Sequence, residues 1–428
     1  MQYRCSIIRG WGMALLDDCR DSILDLLRNL LPKVNQDEVN AISTFLNMQM
    51  DQGKTTITEK MLQVMGDFAL QLWNEHSGAF TLSNGQQWEN DPVTCSLNCW
   101  PGELAYFWIE RIRWRYIHDP GSWNGFDADE KDAIHHFIED EGDFSRPVWT
   151  ALLVNINMLH SLDKEDVESW LFDLMGKAGT EFIWNSILPN PNFNIRLIDI
   201  FFYKSCIDEF EYLSHLSEYK RQSFLLQVFR MITYGELKEK QRTRLLSKVV
   251  TVENGAYAAL FMDQVAWAFE FRLDSKDRGM VWDLWLHQFI EDRHAGKRRN
   301  WGEEERVAFA KLVPLLGAHL KEGAEYLSDS FPKVTGYDLN EIIMLDNIDC
   351  IPQECAEAFI AFYMRLFMQP GVFHVWKAGE LLQKLANKFG MDKVSPLASL
   401  AKEKRIILDT WNFSPKKEIH SDGKEGEV

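Results

Sequence analysis

The chain has 428 residues, enough for two or three ordinary domains or one extended helical array, and its 46% apolar residues can form a sizeable core. A formal net charge of −18 disfavours nucleic acid, a polyanion that needs clustered cations, and disfavours an anionic membrane surface for the same reason. Thirteen Pro and 25 Gly are too few for a turn-rich all-β chain, whereas 16 Trp, 27 Phe and 11 Tyr supply large rings to bury.

The first element is an amphipathic helix over 7–31. Ile8, Trp11, Leu15, Cys19, Ile23, Leu26 and Leu30 recur at three- and four-residue steps, and the pattern stops near Pro32. Asp17, Asp18, Asp21 and Asp25 interrupt it, which argues against a signal peptide. No run of about 18 apolar residues predicts a transmembrane helix. Helices over 35–50 and 58–73 complete an N-terminal helical segment, 1–74. Residues 75–103 are rich in Gly, Asn, Ser and Pro and read as a loop or domain seam.

From 104 to 412 helical periods recur. The predicted spans include 104–117, 128–140, 146–160, 165–176, 180–188, 193–213, 218–233, 257–271, 277–292, 303–320, 354–368 and 394–409. Asp127 precedes Glu130 by three, Asp163 precedes Asp166, and Ser217 opens another span. A short polar side chain at such a start accepts the orphan N–H groups of the first turn. Helix, turn and helix at intervals of ~35–45 residues predict an all-α fold, a HEAT-like helical repeat array (α-solenoid) with degenerate repeats. Residues 413–428 are polar and read as a disordered tail.

The local constellations that could carry chemistry all have structural readings. Gly53-Lys54-Thr55-Thr56 ends like a phosphate-binding loop, but Met48 stands where the upstream Gly is needed, so a turn between helices is expected. His135 and His136 beside Glu139, Asp140, Glu141 and Asp143 lack a metal-ligand order and read as a solvated helix end. The seven cysteines, Cys5, Cys19, Cys95, Cys99, Cys206, Cys350 and Cys355, are odd in number and irregular in spacing. That is the usage of a reducing cytosol, with thiols as small hydrophobes, and it predicts a cytoplasmic protein. Arg111-Ile112-Arg113-Trp114-Arg115-Tyr116 interleaves cations and rings, a pattern explained by arginine stems packed over aromatics.

The strongest basic cluster is Arg293-His294-Ala295-Gly296-Lys297-Arg298-Arg299-Asn300-Trp301. Gly296 ends a helix there, and cations favour the negative helix end. The functional reading is an exposed patch for an acidic protein partner, with Arg293, Lys297, Arg298, Arg299 and Trp301 as candidate partner-binding residues. No nucleophile elbow, kinase set or Gly-rich dinucleotide loop occurs. No catalytic, cofactor-binding or metal-binding residue, and no cofactor, is expected.

Three stretches carry a family resemblance. They are Asn98-x-x-Pro101-Gly102-x-Leu104-Ala105-x-Phe107-Trp108, the run Leu152 to Met175, and Trp282-x-x-Trp285-Leu286 with Glu291-x-Arg293-x-x-Gly296. Together they resemble the uncharacterised helical C-terminal region attached to sirtuin-like NAD-hydrolysing domains of bacterial anti-phage proteins, over residues 95–410. The resemblance implies a sensing or scaffolding arm beside an effector that destroys NAD. The chain departs from that architecture because the Gly-Ala-Gly-x-Ser loop and the sirtuin-like part are absent, so no catalytic residue carries over. An effector on another chain, or upstream, is then expected.

The expected function is therefore non-catalytic protein–protein recognition, as sensor or scaffold in bacterial anti-phage defence. Its partner would be a phage protein or a cognate effector. An oligomer is left open, and so are two rivals: a nuclease or NAD-consuming enzyme with a scattered active site, and a structural subunit of a larger complex.

Overall fold

The computed structural model describes residues 2–14, 20–50, 57–81, 91–188, 210, 213–343, 345–373 and 375–407. Among these the fold is all-α, as the periodicity predicts, with no β-strand. The chain forms two compact units, 1–205 and 206–428.

The first unit contains α1 (Gln2–Ala14), α2 (Arg20–Leu30), α3 (Gln36–Gln49), α4 (Glu59–His76), α5 (Pro92–Leu97), α6 (Trp100–His118), α7 (Ala128–Glu139), α8 (Ser145–Val154), α9 (Ile156–Leu162), α10 (Lys164–Ala178) and α11 (Thr180–Ile187). Helix α1 packs on α3, α3 on α6, and α5 and α6 both pack on α8. The starts are set by side chains. Asn35 accepts from the Glu38 N–H at 3.0 Å, while Glu38 accepts from the Asn35 N–H at 3.1 Å. Asp127 and Glu130 make the same reciprocal pair at α7, and Asp163 caps α10. Each such cap contributes about 1 kcal/mol.

The second unit contains α12 (Glu218–Tyr234), α13 (Glu239–Thr251), α14 (Ala256–Phe271), α15 (Ser275–Val281), α16 (His287–His294), α17 (Glu303–Leu312), α18 (Leu320–Tyr326), α19 (Gly336–Ile342), α20 (Ala356–Phe367), α21 (Ala378–Phe389) and α22 (Met391–Glu403). Here α14 packs on α12 and α17, and α22 packs on α20 and α21. Ser217 caps α12 by accepting from the Lys220 N–H.

Four tryptophans are packing landmarks. Trp108, Trp170, Trp282 and Trp285 are all buried. Trp285 Nε1 donates to Thr233 Oγ1 at 3.1 Å and Trp282 Nε1 to Glu322 Oε2 at 3.2 Å, whereas Trp108 Nε1 and Trp170 Nε1 are buried without a partner.

Several elements differ from their expected form. In α2 the core face is Ile23, Leu24 and Leu27, and Leu26 points outward, because the helix packs through the 23/27 ridge rather than the 23/26/30 stripe. The expected loop 75–103 holds α5 and the first turn of α6, with Asp91 capping α5 through the Thr94 N–H at 3.0 Å. The single helix expected over 146–160 breaks at Asn155, whose side chain takes the Ala151 carbonyl at 2.9 Å and so competes with the helical ladder. The span 277–292 is interrupted by a π-turn, Trp282–Leu286, which carries one extra residue and lets Trp282, Trp285 and Leu286 all face inward. Pro314 ends α17 early, and 3₁₀ turns follow over Val313–Leu315 and Gly317–His319. Of the expected helix 193–213, only 210 and 213 are among the described residues; 51–56, with the Gly53–Thr56 turn, and the tail 413–428 lie outside them.

Candidate partner-binding surface

The basic cluster that the sequence singles out is largely a folded loop. Helix α16 ends in a Schellman turn: the Gly296 N–H donates to Arg293 O at 3.0 Å and the Lys297 N–H to Asp292 O at 2.9 Å, with Gly296 at φ +68°. Arg293 is 1% exposed and turns back under that loop. Its Nε donates to Glu305 Oε1 at 2.6 Å and its Nη2 to Glu305 Oε2 at 2.8 Å. Its remaining N–H groups reach the Lys297, Arg299 and Asn300 carbonyls at 3.3, 2.9 and 3.3 Å. Arg293 thus ties the loop to α17 and does not present a charge to a partner.

Trp301 is also buried, with its ring 5.5 Å from Phe309. Arg299 lies against Gly255, whose φ of +79° and missing Cβ leave room for the guanidinium. Of the five candidate residues only Lys297 and Arg298 stand exposed, and Lys297 is held by Asp292 at 2.7 Å. The expectation of a five-residue patch is therefore corrected: burial removes Arg293 and Trp301 from the surface. The sequence showed the cations but not that Glu305 and three carbonyls draw one of them inward.

The second unit does carry a concave surface, which the sequence reading missed. A groove of about 690 Å³ runs between α12, α14 and α17. Its lining includes the carboxylates of Glu218, Asp263, Glu303, Glu304 and Asp338 against the cations Arg221, Lys311 and Lys333. Lys311, one of the lining residues, has its Nζ 2.9 Å from Asp263 Oδ1 and 2.8 Å from Glu341 Oε2. Burial works against the Lys311 ammonium, but its bonds to Glu341 and Asp263 outweigh that and hold its pKa above the ordinary lysine value. Burial likewise raises the Asp263 carboxyl.

Exposed aromatics lie on and next to α19, the helix whose Asp338 lines this groove. Tyr337, beside Asp338 in the first turn of α19, hydrogen-bonds Glu341. Gly336 lies so close to Phe373 that a Cβ there would sit 2.9 Å from the Phe373 carbonyl oxygen. The Lys377 N–H donates to Asn340 Oδ1 at 3.4 Å, which ties Lys377 to α19. Tyr337 and Phe373 are exposed, and Trp376 is 74% exposed with the Lys377 ammonium 5.2 Å from its ring. No local pattern marks these rings in sequence, because Phe373 and Lys377 meet α19 only in the fold.

The other sequence candidates take their structural readings. Arg111 is buried 4.9 Å over the Trp108 ring and paired with Asp127 at 3.2 Å; Arg115 pairs with Asp127 and Glu130 and covers Trp123. His135 bonds Asp166 at 3.2 Å and His136 bonds Asn74 at 3.3 Å. Cys95, Cys99, Cys350 and Cys355 are free thiols, and burial pushes Cys99 up to about 12. Among the described residues no three His, Cys, Asp or Glu side chains gather as a metal site, and no helix is long and apolar enough to cross a membrane. Compared with known proteins, the chain matches no family model, no curated protein and no solved structure.

Proposed function

We propose that this chain is a non-catalytic protein-recognition scaffold whose partner lays a basic segment in the acidic groove and an apolar contact on Tyr337, Phe373 and Trp376. The observation that carries this reading is that α19, which contributes Asp338 to the groove, also carries the exposed Tyr337 and contacts the segment bearing the exposed Phe373 and Trp376. Large exposed rings are costly in water and are enriched at the centres of protein interfaces. The excess of carboxylates in the lining favours a cationic partner.

The setting we propose, as sensor or scaffold of a bacterial anti-phage system acting in the cytoplasm, rests on the resemblance carried by the tryptophan-bearing stretches and on free thiols. Affinity capture of the full chain from phage-infected and uninfected bacteria tests both parts. The expected result is a specific protein that the Phe373→Ala/Trp376→Ala variant fails to retain. Recovery of no specific protein, or equal recovery by the variant, would overturn the reading. A partner captured equally with and without infection would remove the sensing role alone.

A further inference from the structure

A second cavity, also in the second unit, has the opposite electrostatic character. About 190 Å³ in volume, it lies between α15, the 3₁₀ turns over 313–319 and residues 347–352. Ser275, Arg278, His319, Asn347 and Cys350 supply its polar lining, and no Asp or Glu is among its described lining residues. In a chain with a net charge of −18, a cavity free of carboxylates is a distinct environment.

Arg278 is the group that needs explaining. It is 9% exposed, and its Nη2 donates to Asn347 Oδ1 at 2.8 Å. Its Nε is buried with no hydrogen-bond partner, and among the described residues it makes no salt bridge. Burial lowers its pKa, and Cys350, Asp274 and Glu270 offset this only in part, none of their side chains in hydrogen-bond contact with its guanidinium. The Asp274 carboxylate is already committed to capping α15, accepting from the Lys276 and Asp277 N–H groups at 2.8 Å each. A buried cation with no directly paired carboxylate is costly, and an anion entering the cavity would relieve that cost.

We propose that this cavity binds the oxyanion group of a small metabolite, a carboxylate or a phosphate, on Arg278, with Ser275 and Asn347 as neutral donors. The planar guanidinium fork matches either group through parallel hydrogen bonds. Asn347 spends its side-chain oxygen on Arg278, which turns its amide N–H groups toward other acceptors. The volume is below the roughly 300–1,000 Å³ of drug-sized ligand sites and suits a compound of a few heavy atoms. This ligand is independent of the groove and of its protein partner.

Calorimetric titration of the full chain with inorganic phosphate, and separately with malonate, tests the site. Single-site binding of one or both is expected. The bound anion should also slow alkylation of Cys350, the exposed thiol in the lining, by iodoacetamide, as read by peptide mass spectrometry. Arg278→Met should abolish binding and protection with the helical circular dichroism retained.

If that variant fails to fold, Gly279→Val decides. It keeps Arg278, and a Cβ at Gly279 meets no atom within 4 Å, so its side chain has open space beside the cavity that Gly279 lines. It should reduce binding at least tenfold. Phosphate without malonate assigns a phosphate-bearing ligand, and malonate without phosphate a carboxylate. Binding of neither anion, or undiminished binding by both variants, overturns the proposal.

Discussion

Each unit buries a glutamate at the third position of a helix and pairs it with an arginine, yet the two pairs end differently. In the second unit Glu305 receives both of its hydrogen bonds from the Arg293 fork, and the loop carbonyls take the other guanidinium N–H groups. In the first unit Glu130 Oε2 serves two masters, the Asp127 N–H of the capping box and Arg115, while Glu130 Oε1 is buried without a partner. Nearby, Arg111 Nε and Nη1 are also unpaired. The α17 start has Gly302 as its cap and asks nothing of Glu305, so that carboxylate is free to face the arginine squarely. A capping box and a bidentate ion pair compete for the same carboxylate.

This contrast can be broken most forcefully at Arg293. Arg293→Met leaves Glu305 buried without its counter-ion and frees the loop carbonyls, so a loss of about 3–5 kcal/mol in urea unfolding is expected. A loss below about 1 kcal/mol would mean that the pair does not hold the loop.

The first unit should respond to pH instead. Burial and then the Asp127 charge raise the Glu130 carboxyl to about 7, against the pull of Arg111 and Arg115. Between the ordinary glutamate value of 4.5 and about 7, the folded state therefore holds this proton more tightly than the unfolded chain does. Stability contributed by Glu130 falls as pH rises through that window, by on the order of 3 kcal/mol over its full width. Glu130→Gln should flatten the dependence of unfolding free energy on pH from 5 to 7.5. Parallel profiles for the variant and the natural chain would show that the arginines neutralise Glu130 fully.

The smallest effect belongs to Lys297, exposed and paired only with Asp292. Lys297→Ala should leave the unfolding midpoint unchanged within error. A measurable loss there would show that the loop's outer face matters to its fold as Arg293 does.

These pairs also show what a sequence exposes. Caps are local, so Asp127, Asp163 and Ser217 are legible from their spacing, and the all-α class follows from periodicity. Breaks that depend on a side chain choosing one carbonyl, as Asn155 does, leave no periodic trace. The basic cluster is visible as composition, but the direction of Arg293 depends on Glu305, twelve residues later and on another helix. The acidic groove and the Arg278 cavity are assembled from three or more separated segments each, so no window of sequence contains them.

The π-turn at Trp282–Leu286 has a consequence for everything after it. A wide turn holds one residue more than a regular helix needs, and each residue rotates an α-helix by about 100°. Without the extra residue, α16 would present a different side to α17, and position 293 would no longer meet Glu305. A single-codon insertion or deletion at this spot would therefore act as a rotary adjustment, re-aiming the whole loop without changing any residue in it.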